Sequence, residues 1–192
     1  MEELYRYVHI PNFEDIQREL IESINYDYNS KGLHAQNFTE EYMTEKCPKL
    51  MNWLKAKSKS KFRLLRFYFT PGYAELSPHI DSSFITVPFG LNIPVLNCHN
   101  TKMTWYHCSN ENQSLPVVKN GYLQGICPID LSKLEIIEEL ELTKPCFIKG
   151  DVMHGVKNFN NTVRIMFTVR WGLHPIKFRN IEEVMDITDL FV

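Results

Sequence analysis

The sequence predicts a mainly β protein of one domain, an all-β sandwich or barrel with two helices near its N-terminus. From residue 61 onward, short segments rich in strand-forming residues alternate with turn signals such as Asn-Gly and Lys-Pro. Before residue 61, apolar residues recur at the helical period instead. At 192 residues the chain is long enough for one well-buried core and short for two. We therefore divide this domain, 1–192, into a helical N-terminal region (residues 1–60), a β core (residues 61–171) and a C-terminal tail (residues 172–192).

The N-terminal region is predicted to hold one extended segment and two helices. Leu4 to Ile10 is rich in aromatic residues, which indicates a strand or an extended arm. Asn12 is placed to cap a helix whose apolar positions follow the helical period from Phe13 to Ile24. The polar stretch that ends at Asn37-Phe38-Thr39 is predicted to be a loop. A second helix is predicted from Pro48 to about Lys57, because proline is favoured at the first helical position.

The β core is predicted to contain nine short strands. Each is rich in β-branched or aromatic residues, and most are bounded by Gly, Pro or Asn. They are Phe62–Phe69, Phe84–Val87, Gly90–Asn97, Lys102–Cys108, Gly121–Ile126, Leu140–Leu142, Cys146–Lys149, Gly155–Phe159 and Val163–Trp171. Residues 130–139 fit either a short helix or a loop insertion. No internal repeat or linker divides this series.

Composition favours a folded, soluble protein of a reducing intracellular compartment, cytoplasmic or otherwise. The hydrophobic fraction is 44% and the formal net charge is −2, so there is no global reason to expect nucleic-acid or membrane partners. No apolar run reaches the ~18 residues of a membrane span, and the first residues lack the apolar core of a signal peptide. Five cysteines without close pairs are not a disulfide framework, and free thiols are expected.

Two groups of residues have both a binding and a structural interpretation. Cys98-His99 and His107-Cys108 could form a zinc site, but they lack short Cys-x-x-Cys spacing and are predicted to lie on neighbouring strands of a hairpin. Positive charge is concentrated at Lys55, Lys57, Lys59, Lys61, Arg63 and Arg66. This run could contact nucleic acid or an acidic substrate. Because aromatic stacking residues are not clearly interleaved with it, a solvated helix end followed by an exposed strand is the simpler interpretation.

A metal site is predicted from three residues, His79, Asp81 and His154. Side chains at i and i+2 of a strand point the same way, so His79 and Asp81 can bind one ion from a single strand end. A third ligand from a distant strand, His154 in the segment Gly150–Gly155, would complete one triangular face of an octahedron. Two imidazoles and a carboxylate with three open positions are the ligands of non-haem iron(II) oxygenases. Each motif alone is more simply a hydrogen-bonded turn, so the hypothesis depends on their combination.

Arg164 follows His154 by ten residues, across the Asn160-Asn161 turn. Its planar, permanently charged guanidinium can donate two parallel hydrogen bonds to a carboxylate. If the strands around His154 and Arg164 form a hairpin, this guanidinium reaches the metal pocket. The alternatives are a surface arginine, or Arg170 in its place, because positions 164, 166, 168 and 170 share one face of a strand.

Four segments occur in an order that is far more specific than any one of them. They are Arg63–Gly72, Ser77–Asp81, Lys149–His154 and Arg164, and they span roughly residues 61 to 171. In this order they resemble the iron(II) and 2-oxoglutarate-dependent dioxygenases, most of all the aspartyl/asparaginyl β-hydroxylase-like and prolyl-hydroxylase-like branches. The resemblance implies a double-stranded β-helix, a cupin-like jelly roll, at 61–171 with the metal at its mouth and the N-terminal helices packed on it.

The same resemblance implies the roles of the site residues. His79, Asp81 and His154 would bind iron(II), and Arg164 would bind the distal carboxylate of 2-oxoglutarate, with dioxygen as the second co-substrate. Asp81 completes the triad, although some β-hydroxylases of this type lack that carboxylate. Many relatives place Ser or Thr two residues after the arginine, and here this position is Met166. Another group must then assist Arg164, and the candidates, each of which could equally be a core residue, are Asn92, Tyr68, Trp105 and Thr168.

The resemblance therefore implies a dioxygenase that hydroxylates a C–H bond and releases succinate and carbon dioxide. Family likeness favours an amino-acid side chain as substrate, free or in a peptide, so the expected partner is a small molecule or a peptide, with no membrane. Two alternatives stay open. One is a non-enzymatic or differently metallated jelly-roll protein that binds a small acidic ligand, and the other is an oxygenase that modifies nucleobases. The sequence does not indicate the oligomeric state.

Overall fold

The computed structural model describes residues 3–24, 32–81, 88–114, 118–119, 122–123, 126–172 and 181–191. The predicted strand Phe84–Val87 and half of Gly121–Ile126 lie outside these ranges. The helices within them are α1 (Phe13–Glu22), α2 (Glu40–Lys46), α3 (Pro48–Lys57) and α4 (Ile181–Val184). The strands are β1 (Tyr5–Tyr7), β2 (His34–Asn37), β3 (Phe62–Thr70), β4 (Glu75–His79), β5 (Phe89–Leu96), β6 (Thr101–His107), β7 (Val118–Lys119), β8 (Tyr122–Leu123), β9 (Glu135–Leu140), β10 (Cys146–Lys149), β11 (His154–Asn158) and β12 (Arg164–Trp171). In the portion of the chain so described, no helix is long and apolar enough to cross a membrane.

Eight strands, β3 to β6 and β9 to β12, build two facing antiparallel sheets. The larger sheet has the order β1-β10-β5-β12-β3-β2 and the smaller sheet has the order β4-β11-β6-β9. The chain changes sheet at each step along these eight strands, except that β6 and β9 pair within the smaller sheet. This topology is the predicted double-stranded β-helix, and the jelly-roll prediction is confirmed. The short strands β1 and β2 extend the two edges of the larger sheet.

The hairpin predicted between His154 and Arg164 is wrong. Strand β11 pairs with β4 and β6 in the smaller sheet, whereas β12 pairs with β3 and β5 in the larger sheet. The hairpin predicted around Cys98-His99 and His107-Cys108 is wrong for the same reason, because β5 and β6 belong to different sheets. The Asn160-Asn161 turn therefore carries the chain across the barrel, so that His154 and β12 lie on opposite walls.

The larger sheet separates two hydrophobic cores. On one of its faces, Ile165, Phe167, Val169 and Trp171 of β12 pack in a cluster with residues of helices α1, α2 and α3. On the other face, Met166 joins a cluster with Trp105 of the smaller sheet and Ile148 of β10, so this cluster fills the barrel between the sheets. Full burial of each large apolar side chain contributes roughly 2 kcal/mol. The alternation along β12 confirms that positions 164, 166, 168 and 170 share one face, and this face is the barrel interior.

The two predicted helices correspond to α1 and α3, and α3 begins at Pro48 as predicted. Proline is tolerated there because the first helical N–H groups have no intrahelical partner. Asn12 does precede α1, but in the left-handed conformation with φ of 54°, and its side chain makes no capping hydrogen bond. The backbone carbonyl of Asn12 accepts instead from the N–H of Asp15 at 3.0 Å. Asparagine tolerates this conformation better than most residues.

Two predictions of irregular structure are also wrong. The stretch that ends at Thr39 contains β2, and α2 follows it with the Thr39 hydroxyl accepting from the N–H of Tyr42 at 3.2 Å. Residues 130–139 contain a short 3-10 turn and then β9, so the strand predicted at Leu140–Leu142 begins five residues earlier. Both of these strands lie at sheet edges and are largely exposed. They therefore lack the alternation of buried and exposed residues from which strands are predicted.

The C-terminal tail returns to the helical core. Val184, Met185 and Leu190 are buried in the same cluster as α1 and α3. Two lysines of the basic run hold this segment by its backbone: the Nζ of Lys57 donates to the carbonyl of Thr188 at 3.1 Å, and the Nζ of Lys59 donates to the carbonyl of Glu182 at 3.0 Å. Some of the basic run therefore has a structural role.

All five cysteines are free, as predicted. Burial raises the pKa of Cys47 to about 11 and the pKa of Cys146 to about 12, and Cys98 is buried as well. Only the thiolate reacts, so at about pH 8 we expect iodoacetamide to modify Cys108 and Cys127 in the native protein and all five thiols after unfolding. Counting the labels by intact mass spectrometry checks this. Rapid native labelling of a third thiol would contradict the packing described above.

Candidate metal centre

Strands β4 and β11 bring His79, Asp81 and His154 together. Each residue offers one ligand atom, and these atoms all lie within 4.8 Å of one another. His79 and His154 are direct partners in the register of the two strands, and their ring centroids are 4.6 Å apart. The backbone N–H of Asp81 donates to the carbonyl of Gly150 at 2.8 Å, which fixes the residue next to the turn before His154. Among the residues that the structure describes, no other His, Cys, Asp and Glu residues form such a group, so the zinc alternative at Cys98 and His107 is not formed.

Both imidazoles direct Nε2 toward the carboxylate. The Nδ1 of His79 lies 2.9 Å from the carbonyl oxygen of Ser77, and the Nδ1 of His154 lies 2.8 Å from that of Val152. A carbonyl oxygen only accepts, so each Nδ1 carries the proton and each Nε2 keeps its lone pair when the ring is neutral. Backbone carbonyls that hold the second ring nitrogen in this way are typical of metal-binding histidines.

The separations between the ligand atoms fit one ion. Nε2 of His79 is 3.6 Å from Oδ1 of Asp81, and Nε2 of His154 is 3.6 Å from Oδ2. Both separations are too long for hydrogen bonds. Neighbouring ligands of an octahedral ion at about 2.1 Å are about 3 Å apart, so a small inward movement of the three side chains would enclose a metal.

Burial and nearby charge set the protonation states of the three residues. Burial alone would raise the pKa of Asp81, but Arg170 and the two histidines outweigh it, and the pKa lies below its usual value. Burial lowers the pKa of His154 to about 4. Burial also acts against protonation of His79, but Asp81 outweighs it and raises that pKa. At neutral pH the site therefore offers an ionised carboxylate and a neutral His154, as metal binding requires.

The two arginines on the interior face of β12 have different partners. The Nη2 of Arg170 donates to Oδ2 of Asp81 in a partly buried ion pair. Arg164, six residues earlier, is 4% exposed, and its Nε is buried without a hydrogen-bond partner. Burial lowers the pKa of Arg164, and among the described residues the ionisable group that opposes this shift is the Cys98 thiol. A buried guanidinium without a carboxylate is costly, which marks this place for an anion that the described residues do not provide.

The other predicted pocket residues differ in what they can still bind. The Thr168 hydroxyl donates to Oδ1 of Asn92 at 2.8 Å inside the barrel, which leaves the amide nitrogen of Asn92 to donate elsewhere. Trp105 is the direct register partner of His154, but its indole N–H donates to the carbonyl of Lys149 at 3.2 Å. The Tyr68 hydroxyl accepts from Arg66 at 3.0 Å. Asn92 and Tyr68 therefore keep a side-chain donor for a ligand, whereas the side-chain donors of Thr168 and Trp105 are used, and a role beside Arg164 stays a prediction for all four residues.

No protein-family model matches the chain, and no curated protein matches it. Solved structures do match. The non-heme alpha ketoglutarate dependent carbocyclase SnoK from nogalamycin biosynthesis superposes with a TM-score of 0.56 at 9% sequence identity, over 89% of this chain and 80% of that chain. EvdO2 from Micromonospora carbonacea var. aurantiaca, solved with 2-oxoglutarate, superposes with a TM-score of 0.49 at 9% identity, over 88% and 84%. At this identity the likeness to SnoK concerns the fold, and by its fold this chain is a jelly roll similar to that of SnoK.

Proposed function

We propose that this protein is an iron(II)- and 2-oxoglutarate-dependent oxygenase that hydroxylates a C–H bond and releases succinate and carbon dioxide. The observation that supports this most is the convergence of His79, Asp81 and His154 inside the barrel, with both Nε2 atoms free of other partners. Two imidazoles and one carboxylate cover one face of an octahedral ion. The three remaining positions accommodate a bidentate 2-oxo acid together with dioxygen.

The residues of the chain would have three tasks in this reaction. Iron and 2-oxoglutarate, when bound, would activate dioxygen, which is the oxidant of the reaction and which side chains alone cannot activate. His79, Asp81 and His154 hold the ion, and the carbonyls of Ser77 and Val152 fix the two rings. Trp105, Met166 and Ile148 form a buried apolar wall beside the histidines and exclude water.

Arg164 is the residue that we assign to the distal carboxylate of 2-oxoglutarate. It is buried on the same interior face of β12 as Met166, which packs in one cluster with Trp105, the strand neighbour of His154. Its guanidinium has no carboxylate within the described residues, so a bound dicarboxylate would remove the cost of burying it. The amide nitrogen of Asn92, oriented by Thr168 on the same interior face of β12, is the further donor that we propose in place of the Ser or Thr absent at Met166.

The substrate class that we propose is an amino-acid side chain, free or in a peptide, by likeness to the β-hydroxylase-like and prolyl-hydroxylase-like branches. SnoK is described as a carbocyclase, so a similar fold also serves ring formation, and product analysis should include cyclised products. The nucleobase alternative gains no support from the basic run, because Lys57 and Lys59 bind the C-terminal segment.

A spectroscopic experiment tests the proposal before any substrate is known. Adding 2-oxoglutarate to the anaerobic iron(II)-loaded protein should produce a weak visible charge-transfer band, because the 2-oxo acid chelates the metal. Glutarate is the matched control, since it has both carboxylates but no oxo group and should produce no band. Admitting air should then release succinate, measured by mass spectrometry. Bound iron with no band on adding 2-oxoglutarate would contradict the proposal and favour a protein that only binds a ligand.

A further inference from the structure

We propose that Arg170 is a positioning residue for Asp81: it holds one carboxylate oxygen and leaves the other directed at the metal position. This inference rests on the proposed metal site. The Nη2 of Arg170 contacts Oδ2 of Asp81, which also lies 3.6 Å from Nε2 of His154, while Oδ1 lies 3.6 Å from Nε2 of His79. A carboxylate that is held in this way presents one oxygen to an ion in a fixed direction. A freely rotating carboxylate would have to be ordered when the ion binds.

Two glycines make the space in which Arg170 reaches Asp81. A Cβ atom on Gly150 would lie 2.5 Å from Oδ2 of Asp81 and 2.9 Å from Nη1 of Arg170, and a Cβ atom on Gly90 would lie 3.2 Å from Nε of Arg170. Neither glycine has a φ angle in the left-handed region, so backbone conformation does not explain them. The path of the Arg170 guanidinium explains the two glycines, because any side chain at Gly150 would displace the ion pair between Arg170 and Asp81.

The backbone on both sides of this pair is hydrogen-bonded. Arg170 lies on β12, in the middle of the larger sheet, and is 6% exposed. Asp81 is tied by its N–H to the carbonyl of Gly150, the same residue whose missing side chain leaves room for the ion pair. The fold therefore fixes both ends of the contact. A flexible surface arginine could not fix the direction of a metal ligand in this way.

The contact between Arg170 and Asp81 also indicates that Arg170 and Arg164 have different roles. A guanidinium already bound to Asp81 is not free to bind a co-substrate carboxylate with both of its edges, whereas Arg164 has no such partner among the residues that the structure describes. Removal of a residue that orients a metal ligand typically weakens metal binding by about 10- to 100-fold. The role of Arg170 is therefore visible in binding of the metal alone, without 2-oxoglutarate.

The test is a titration of the metal-free protein with Mn²⁺, followed by the loss of the free-ion signal in electron paramagnetic resonance. Arg170→Met should weaken Mn²⁺ binding by about 10- to 100-fold. Arg63→Met, which removes the same charge from an exposed position on β3, should bind Mn²⁺ like the wild type. Arg170→Lys keeps the cation but not the planar fork, and should recover some of the lost affinity.

A second pair of variants tests the geometry while leaving all charges in place. Gly150→Ala should weaken Mn²⁺ binding because its Cβ displaces Asp81, whereas Gly172→Ala, whose Cβ would have its nearest neighbour at 3.8 Å, should not. Thermal unfolding of each variant identifies those that fold. Wild-type Mn²⁺ affinity in folded Arg170→Met or Gly150→Ala would overturn the role of Arg170 alone. A wild-type protein that binds neither Mn²⁺ nor iron would overturn the proposed function as well.

Discussion

The Asp81→Asn variant is expected to lose stoichiometric binding of iron(II) and Mn²⁺ and to release no succinate, while it remains folded. An amide lacks the charge that makes the carboxylate a metal ligand, and two imidazoles alone do not complete the triangular face. The amide oxygen can still accept from Arg170, so the buried contact is kept in a weaker form. Metal content after dialysis, the charge-transfer band and succinate release measure the loss.

Asp151→Asn is the matched control, because Asp151 belongs to the same Gly150–Gly155 segment but is exposed and outside the ligand group. It should keep metal and activity. Asp81→Ala should also lose metal, and in addition it leaves Arg170 buried without a partner, which costs about 3 kcal/mol of folding stability. A folded Asp81→Asn protein with wild-type metal affinity would show that His79 and His154 do not form a metal site with Asp81. His79→Ala should likewise lose iron-dependent succinate release.

The sequence predicted correctly those elements whose signals lie in neighbouring residues, such as helix starts and buried strands. Pro48 marked the start of α3 correctly, because the proline preference concerns only the adjacent turn. The buried strands β5, β10 and β12 were predicted nearly to the residue, since they are rich in strand formers and bounded by turn residues. Edge strands β2 and β9 were missed because exposure on both sides removes the pattern that identifies a strand. Their pairing is decided by the sheet and not by their own sequence.

The sequence predicted which three residues of the candidate site lie together, but not how their strands pair or which side chains contact them. His79, Asp81 and His154 lie together as predicted, since Asp81 follows the last residue of β4, His79, by two positions and β11 places His154 opposite His79. The sequence predicted a hairpin between His154 and Arg164, but β11 and β12 lie in different sheets. A short polar turn has the same sequence pattern whether it joins two neighbouring strands or connects two sheets. The contact between Arg170 and Asp81, and the room left by Gly90 and Gly150, depend on sheet register. Register between distant strands cannot be derived from a single sequence.

Arg170 and Arg164 lie on the same face of β12 but differ in electrostatic environment. Arg170 neutralises a carboxylate of the chain itself, so its burial is compensated in the free protein. Arg164 is buried with its Nε unpaired, so its burial is compensated only when a ligand binds. A protein that keeps an uncompensated charge in its interior sacrifices stability for binding, as functional sites commonly do. The two arginines should therefore respond to the same substitution in opposite directions.

Arg164→Met is expected to stabilise the ligand-free protein and to impair its use of 2-oxoglutarate. Replacing an unpaired buried guanidinium by an apolar side chain of similar length removes a desolvation cost of about 1 to 3 kcal/mol. The lost charge-assisted hydrogen bonds, about 1.5 to 3 kcal/mol, should raise the 2-oxoglutarate requirement by about 10- to 100-fold. Urea unfolding without ligands measures the first effect, and the charge-transfer band titrated with 2-oxoglutarate measures the second.

Arg170→Met provides the opposite case, because it leaves Asp81 without its ion-pair partner and should lower stability in the same unfolding experiment. If Arg164→Met left the 2-oxoglutarate requirement unchanged and Arg170→Lys raised it, Arg170 would be the arginine that binds the co-substrate. If Arg164→Met destabilised the protein, its guanidinium would have a partner in the free protein, and the argument for an anion site would fail. Only an anion-binding role of Arg164 predicts higher stability together with weaker co-substrate binding, because the same buried charge causes both.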